Sequence, residues 1–236
     1  MGKSTLYETK HKINDYITIR VPTVKEIIEN EDDYYGNIAL IVATPYDMMV
    51  QLDDMKIDFT KINDWDLFCL LFNELRTRDL SLIFDGLNLG DFVFAENKQN
   101  GNIILVNPTT GAKIDRAIHD QICRYLRSAL RLQKNEKKPA NEEARKFLIE
   151  RTRKKMMRHK NRIFESQIEK YIVALVNTAE FPYTYESVLG LTINQFYASL
   201  HQIIRKIKYD NLMIGCYAGT VNMKELDQNE LNWISN

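Results

Sequence analysis

The chain has 236 residues, of which 44% are hydrophobic and 27% charged, and its 32 Lys/Arg balance 32 Asp/Glu. That composition suits a globular core and excludes collagen-like, disulfide-scaffold and disordered classes. The net charge of zero is uneven: residues 1–100 carry 10 basic against 18 acidic side chains, residues 101–165 carry 17 against 7, and residues 166–236 carry 5 against 7. Clustered like charge repels itself unless something opposite lies beside it, so the basic middle implies a partner surface. That partner is the chain's own acidic half, another protein or nucleic acid.

In chain order, Tyr16 to Val21 alternates polar and apolar residues and reads as a short strand ending at Pro22. Thr23, with Glu26 three residues on, has capping-box spacing for a helix running to about Asp33. Gly36 to Ala43 is apolar on all sides and reads as buried, in a helix or a strand. Thr44-Pro45-Tyr46-Asp47 is a second helix start, with the helix ending near Met55. Asn63 or Asp64 opens a third, with Trp65, Leu67, Phe68, Leu71, Phe72 and Leu75 as its apolar face. Phe92–Ala95 and Ile103–Val106 flank an Asn- and Gly-rich turn and read as a hairpin.

Asp115 then opens a long helix through Ile118, Ile122, Leu126 and Leu130, and Lys134 to Ala140 is a polar break. Asn141 to Arg162 is helical by propensity and carries nine Lys/Arg. Ile168, Ile172, Leu175 and Val176 mark a buried helix, Thr184 opens a short one, and Thr192 caps a long one through Phe196, Leu200, Ile203, Ile204 and Ile207. Gly215 to Gly219 reads as a turn.

The expected fold is mainly α with a small β-hairpin element, and a helical bundle-like C-terminal half. The expected domains are an acidic N-terminal α+β domain, 1–132, with its hairpin near 92–106, and a second unit, 141–236, in which a basic helix precedes a helical domain. No apolar run approaches the ~20 residues of a membrane span. The start lacks a signal-peptide core, and Leu6 stands where myristoylation needs Ser or Thr. Cys69, Cys123 and Cys216 are odd in number and far apart, so reduced thiols and a cytoplasmic setting are expected.

Motifs for catalysis do not assemble. Gly2-Lys3-Ser4-Thr5 resembles the end of a phosphate loop but has neither the preceding strand nor the earlier glycine. Asp85 or Asp91 with Glu96 and Lys98 has the residue types of a metal-dependent nuclease, but Glu96 and Lys98 fall at a hairpin turn. Asp53, Asp54 and Asp58 lack calcium-loop spacing and read as solvated helix ends. His119 and Cys123, four apart on one helix face, have no further zinc ligands of matching spacing, and His11 and His201 have no nucleophile context. The chain is therefore expected to be no enzyme, with no catalytic, cofactor-binding or metal-binding residues.

The basic run is the candidate site. Arg151, Arg153, Lys154, Lys155, Arg158, Lys160 and Arg162 cover much of a helix surface beside Met156 and Met157. Such a helix neutralises phosphates, binds an acidic protein, or pairs with acids of its own chain. No aromatic residues are interleaved with these cations, which speaks against a single-strand stacking platform. Residues 169–208 have helix-turn-helix proportions, with Asn194 and Gln195 as the base-reading candidates. Ile193, Phe196, Tyr197 and Leu200 beside them read as packing residues of a structural three-helix unit.

The stretches Ile19–Ile27, Thr44–Leu52, Ile57–Ile62 and Gly215 through Trp233 resemble a family from prophages and tailed phages of Gram-positive, chiefly Firmicute, bacteria. The resemblance implies a gene in the tail-morphogenesis module near the tape-measure gene, where tail assembly chaperones are encoded. It carries over no active-site residues. It implies a phage tail assembly or virion morphogenesis protein acting through protein–protein contacts, with tape-measure and tail-tube proteins as partners. The setting is the bacterial host cytoplasm, with the virion left open, and homo-oligomers are compatible with it. The alternative is a phage DNA-binding protein using the basic helix 145–162 and the 169–208 unit.

Overall fold

The computed structural model describes residues 5–98, 100–136, 138–159, 164–227 and 231–234. Strand β1 (Lys10–Lys12) pairs antiparallel with β2 (Thr18–Arg20), whose Ile19 is fully buried beside Ile17. Thr23 then caps α1 (Val24–Ile28) with both halves of the capping box in place. The single helix expected to reach Asp33 is two: the chain breaks at Asn30, and α2 (Glu31–Ile41) starts with three acids in its first turn. Negative charge is favourable there, against the helix dipole. The apolar stretch 36–43 is thus the end of a helix, and it is not buried all round, since Ala39 is exposed.

Helix α3 (Met49–Asp54) follows a turn in which Thr44 and Asp47 bond each other reciprocally, and Asn63 caps α4 (Asp64–Leu75). A three-stranded antiparallel sheet of β3 (Val93–Glu96), β4 (Ile103–Val106) and β5 (Lys113–Ile114) contains the expected hairpin, with Phe94 opposite Leu105. Asp115 caps α5 (Arg116–Ala129). After the polar break come α6 (Glu142–His159), α7 (Gln167–Val176), a 3₁₀ turn at Ser187–Gly190, and α8 (Ile193–Tyr217). Among the described residues the fold is mainly α with two small antiparallel sheets, as the sequence indicates.

One buried cluster runs through Ile19, Val24, Ile38, Phe72, Leu105, Ile122, Ile168 and Phe196, and so passes across the 133–140 break. The backbone joins there too: the Val24 amide donates to the Leu191 carbonyl, and the Ile193 amide to the Pro22 carbonyl, each at 2.9 Å. A second, smaller cluster holds Met49, Val50, Leu52, Phe59, Leu67 and Ile149. Ile149 is the one buried residue of α6, so the basic helix packs on α3 and α4 of the acidic front.

Candidate functional site

An 18-residue helix with a single buried side chain is held from one side only. On α6 that side is Arg145, Leu148, Ile149, Thr152 and Arg153, the i, i+3, i+4, i+7 and i+8 positions of one face. Arg153 places Nη2 at 2.9 Å from Asp53 and Nη1 at 2.7 Å from Asp54. Arg145 reaches Asp58 at 3.1 Å, and the Thr152 hydroxyl points to the Met49 sulfur at 3.6 Å. Burial works against the Asp58 carboxylate, but the Thr60 amide and hydroxyl, with Arg145 and Lys61, outweigh it and hold its pKa below the ordinary value. The acids expected to be solvated helix ends are therefore counter-ions of the basic helix.

The opposite face is different. Phe147, Arg151, Lys154 and Arg158 stand at spacings of four, three and four, on the side of α6 away from Ile149, with Lys155 beside them. All are exposed, and the shallow groove that runs among them has one acid, Glu150, beside the cations. Phe147 is 64% exposed and Met157 67%. Arg151, Lys154, Lys155 and Arg158 have no hydrogen-bond or ion-pair partner among the described residues. Of the seven cations singled out in the sequence, Arg153 is thus tied to the acidic front, four lie unpaired on the outer face, and Lys160 and Arg162 lie outside the described residues. The sequence reading missed Phe147; its signal was a large aromatic two positions from Ile149, which puts it on the other side of the helix.

The helix-turn-helix arrangement does not present its readers. Asn194 is buried and donates Nδ2 to the Thr5 carbonyl at 3.1 Å, while Gln195 closes a capping box with Thr192. Ile193 and Phe196 are fully inside the core. The first turn of α8, which would face the bases, is packed against the protein.

The remaining candidates also resolve locally. His119 and Cys123 are both buried and both reach the Ile41 carbonyl, at 3.2 and 3.4 Å. Burial lowers the His119 pKa and pushes the Cys123 thiol up to about 12, so neither is poised as a ligand or nucleophile. Asp85 pairs with Lys10 at 2.6 Å, and His11 stacks on Tyr125. Among the described residues no group of three or more His, Cys, Asp or Glu is arranged to hold a metal ion. The phosphate-loop-like residues 2–4 lie outside the described residues.

Residues 158–236 match the family model described as the YomV second domain. That name is phage- and prophage-associated, and it relates the last third of the chain, from the end of α6 onward, to phage proteins. The matched region contains α7 and α8 and leaves most of α6 outside it. Comparison with curated proteins and with solved structures gives no match. No helix among the described residues is long and apolar enough to cross a membrane.

Proposed function

We propose that this chain is a non-enzymatic phage tail assembly or virion morphogenesis protein that works by protein–protein contact, as a chaperone for tape-measure or tail-tube subunits in the bacterial host cytoplasm. The observation that supports it is the outer face of α6: cations with no ion-pair partner among the described residues, beside exposed Phe147, a mixture of charge and apolar surface that suits a protein partner. The relation of residues 158–236 to a phage-associated family supports the setting. Co-expression with the tape-measure and tail-tube proteins of the same phage tests the reading. A complex stable through size exclusion, and lost with Arg151, Lys154 and Arg158 changed to Glu, is expected. Normal tail yield from a phage carrying that triple change would overturn it.

The second reading is DNA binding by the same four cations. It loses weight because Asn194 and Gln195 are occupied, so base recognition would have no reader in the 169–208 unit. Tight duplex binding that falls steeply with salt, and is abolished when Arg151, Lys154, Lys155 and Arg158 become Glu, would make it the function.

A further inference from the structure

Helix α6 already shows, on its inner face, how it holds another helix. Helix α3 meets it with a methionine under Thr152, an apolar patch around Ile149, and a pair of adjacent carboxylates on Arg153. The outer face repeats the same elements without an occupant: an aromatic anchor, Phe147, then cations at 151, 154 and 158 in one stripe. From Arg151 to Arg158 the stripe is about 10 Å long, two helical turns.

We infer that this outer face docks an acidic amphipathic helix of a partner protein, lying along α6 opposite α3. The partner's apolar ridge covers Phe147, and its carboxylates, spaced one turn apart, pair with Arg151, Lys154 and Arg158. This rests on the protein-contact reading above and names the chemistry of the partner. A helix fits this face better than a duplex. The phosphate backbone makes no use of Phe147, whereas an amphipathic helix buries it. A single helix stays within the width of the stripe.

The test uses the full chain and three probes: a designed helical peptide with leucines on one stripe and flanking glutamates at i and i+4, a scrambled peptide of identical composition, and a short DNA duplex. The designed helix is expected to bind, with affinity falling about tenfold or more when Arg151, Lys154 and Arg158 become Glu, and about fivefold in Phe147→Ala. Circular dichroism of each variant confirms that α6 keeps its helicity, since none of the changed side chains is buried. Equal binding of the scrambled peptide, with Phe147→Ala neutral, would reduce the face to simple charge attraction and overturn the inference. So would tighter binding of the duplex, or no binding of the designed helix. Peptide binding together with normal phage tails in the triple variant would leave the docking face standing and remove only the tail-assembly role.

Discussion

The carboxylate of Glu31 accepts the backbone amide of Ile168 at 3.1 Å and that of Gln167 at 2.9 Å, from the first turn of α2 to the first turn of α7. The Ser166 hydroxyl donates to the same group, and Ser166 in turn caps α7 by accepting from the Glu169 amide. Glu31 is buried, so a negative charge from the acidic front sits inside the protein as the N-terminal cap of a helix 135 residues away. Together with Arg153 on Asp53 and Asp54, this assigns part of the acidic surplus of residues 1–100 to the chain's own later segments. The charge asymmetry is partly internal, and the outer face of α6 is part of what remains.

Replacing Glu31 by Ala leaves the Gln167 and Ile168 amides and the Ser166 hydroxyl without their acceptor. The expected loss is about 2–3 kcal/mol of unfolding free energy, toward the upper range for orphaned buried donors. Glu31→Gln keeps an acceptor oxygen and should lose less. Urea unfolding of the two variants checks the ordering, and equal losses would show that the carboxylate does not act as the cap.

Helix α6 is anchored by one buried side chain and a few exposed ion pairs, so it should open separately from the main core. Ile149→Ala removes the anchor, at a cost of about 2 kcal/mol or more to the α3–α6 contact. Arg153→Gln breaks only partly exposed pairs, which solvent screens, so it should matter less than the loss of the apolar anchor. Hydrogen exchange should quicken within residues 142–159 in both, more in Ile149→Ala, while α5 and α7 keep their protection. Uniform loss of protection through the whole chain would mean that α6 does not open by itself.

His119 gives the fold a pH dependence of known sign. Burial against Trp65 and Phe68 depresses its pKa from the ordinary 6.5, outweighing the opposite effect of the hydrogen bond to the Ile41 carbonyl. The unfolded chain takes up a proton at about 6.5 and the folded chain only at lower pH, so this contribution is complete above 6.5 and is lost as the pH falls below it. His201, whose pKa is lowered by burial and by Arg131 and Arg205, adds in the same direction. Glu26, held low chiefly by the Thr23 amide, contributes above its unfolded value of 4.5 and loses that contribution at more acid pH, so the two windows separate. His119→Gln should flatten the change in urea midpoint between about pH 7 and about pH 5.5, leaving a smaller slope from His201. An unchanged slope would show that His119 does not set it.

Local rules made much of the fold legible. Thr23, Asn63, Asp115 and Thr192 all cap helices because each pairs a short polar side chain with a free amide within three residues. The hairpin followed from alternating apolar runs around an Asn- and Gly-rich turn. Long-range pairing was not legible. Nothing within residues 53–58 says that Arg145 and Arg153, roughly a hundred residues later, neutralise them. Asn194 looked like a base reader because its burial is decided by Thr5 and the core, and not by its neighbours in sequence. Gly215 was expected in a turn, yet it lies in the last turn of α8, because the helix continues to Tyr217 before Gly219 takes φ +73°.

That glycine supports a last prediction, in which the usual sign reverses. Gly→Ala within a helix normally stabilises by about 1 kcal/mol. At Gly215, however, a Cβ would stand 2.9 Å from a methyl of Val221, closer than real contacts allow. Val221 is β-branched and has few rotamers to escape into. Its amide and that of Thr220 both donate to the Gly215 carbonyl, at 3.2 and 3.0 Å, so the following segment folds back against α8. Further on, the Trp233 carbonyl accepts from Gln202 at 2.9 Å. Gly215→Ala should push this return away from the helix, giving no rise in Tm and faster proteolytic cleavage after residue 219. Adding Val221→Ala should restore protection and release the stabilisation expected of alanine in a helix. A single Gly215→Ala change that raises Tm with unaltered cleavage would show that the segment yields without cost, and that close packing at Gly215 does not hold the C-terminal return in place.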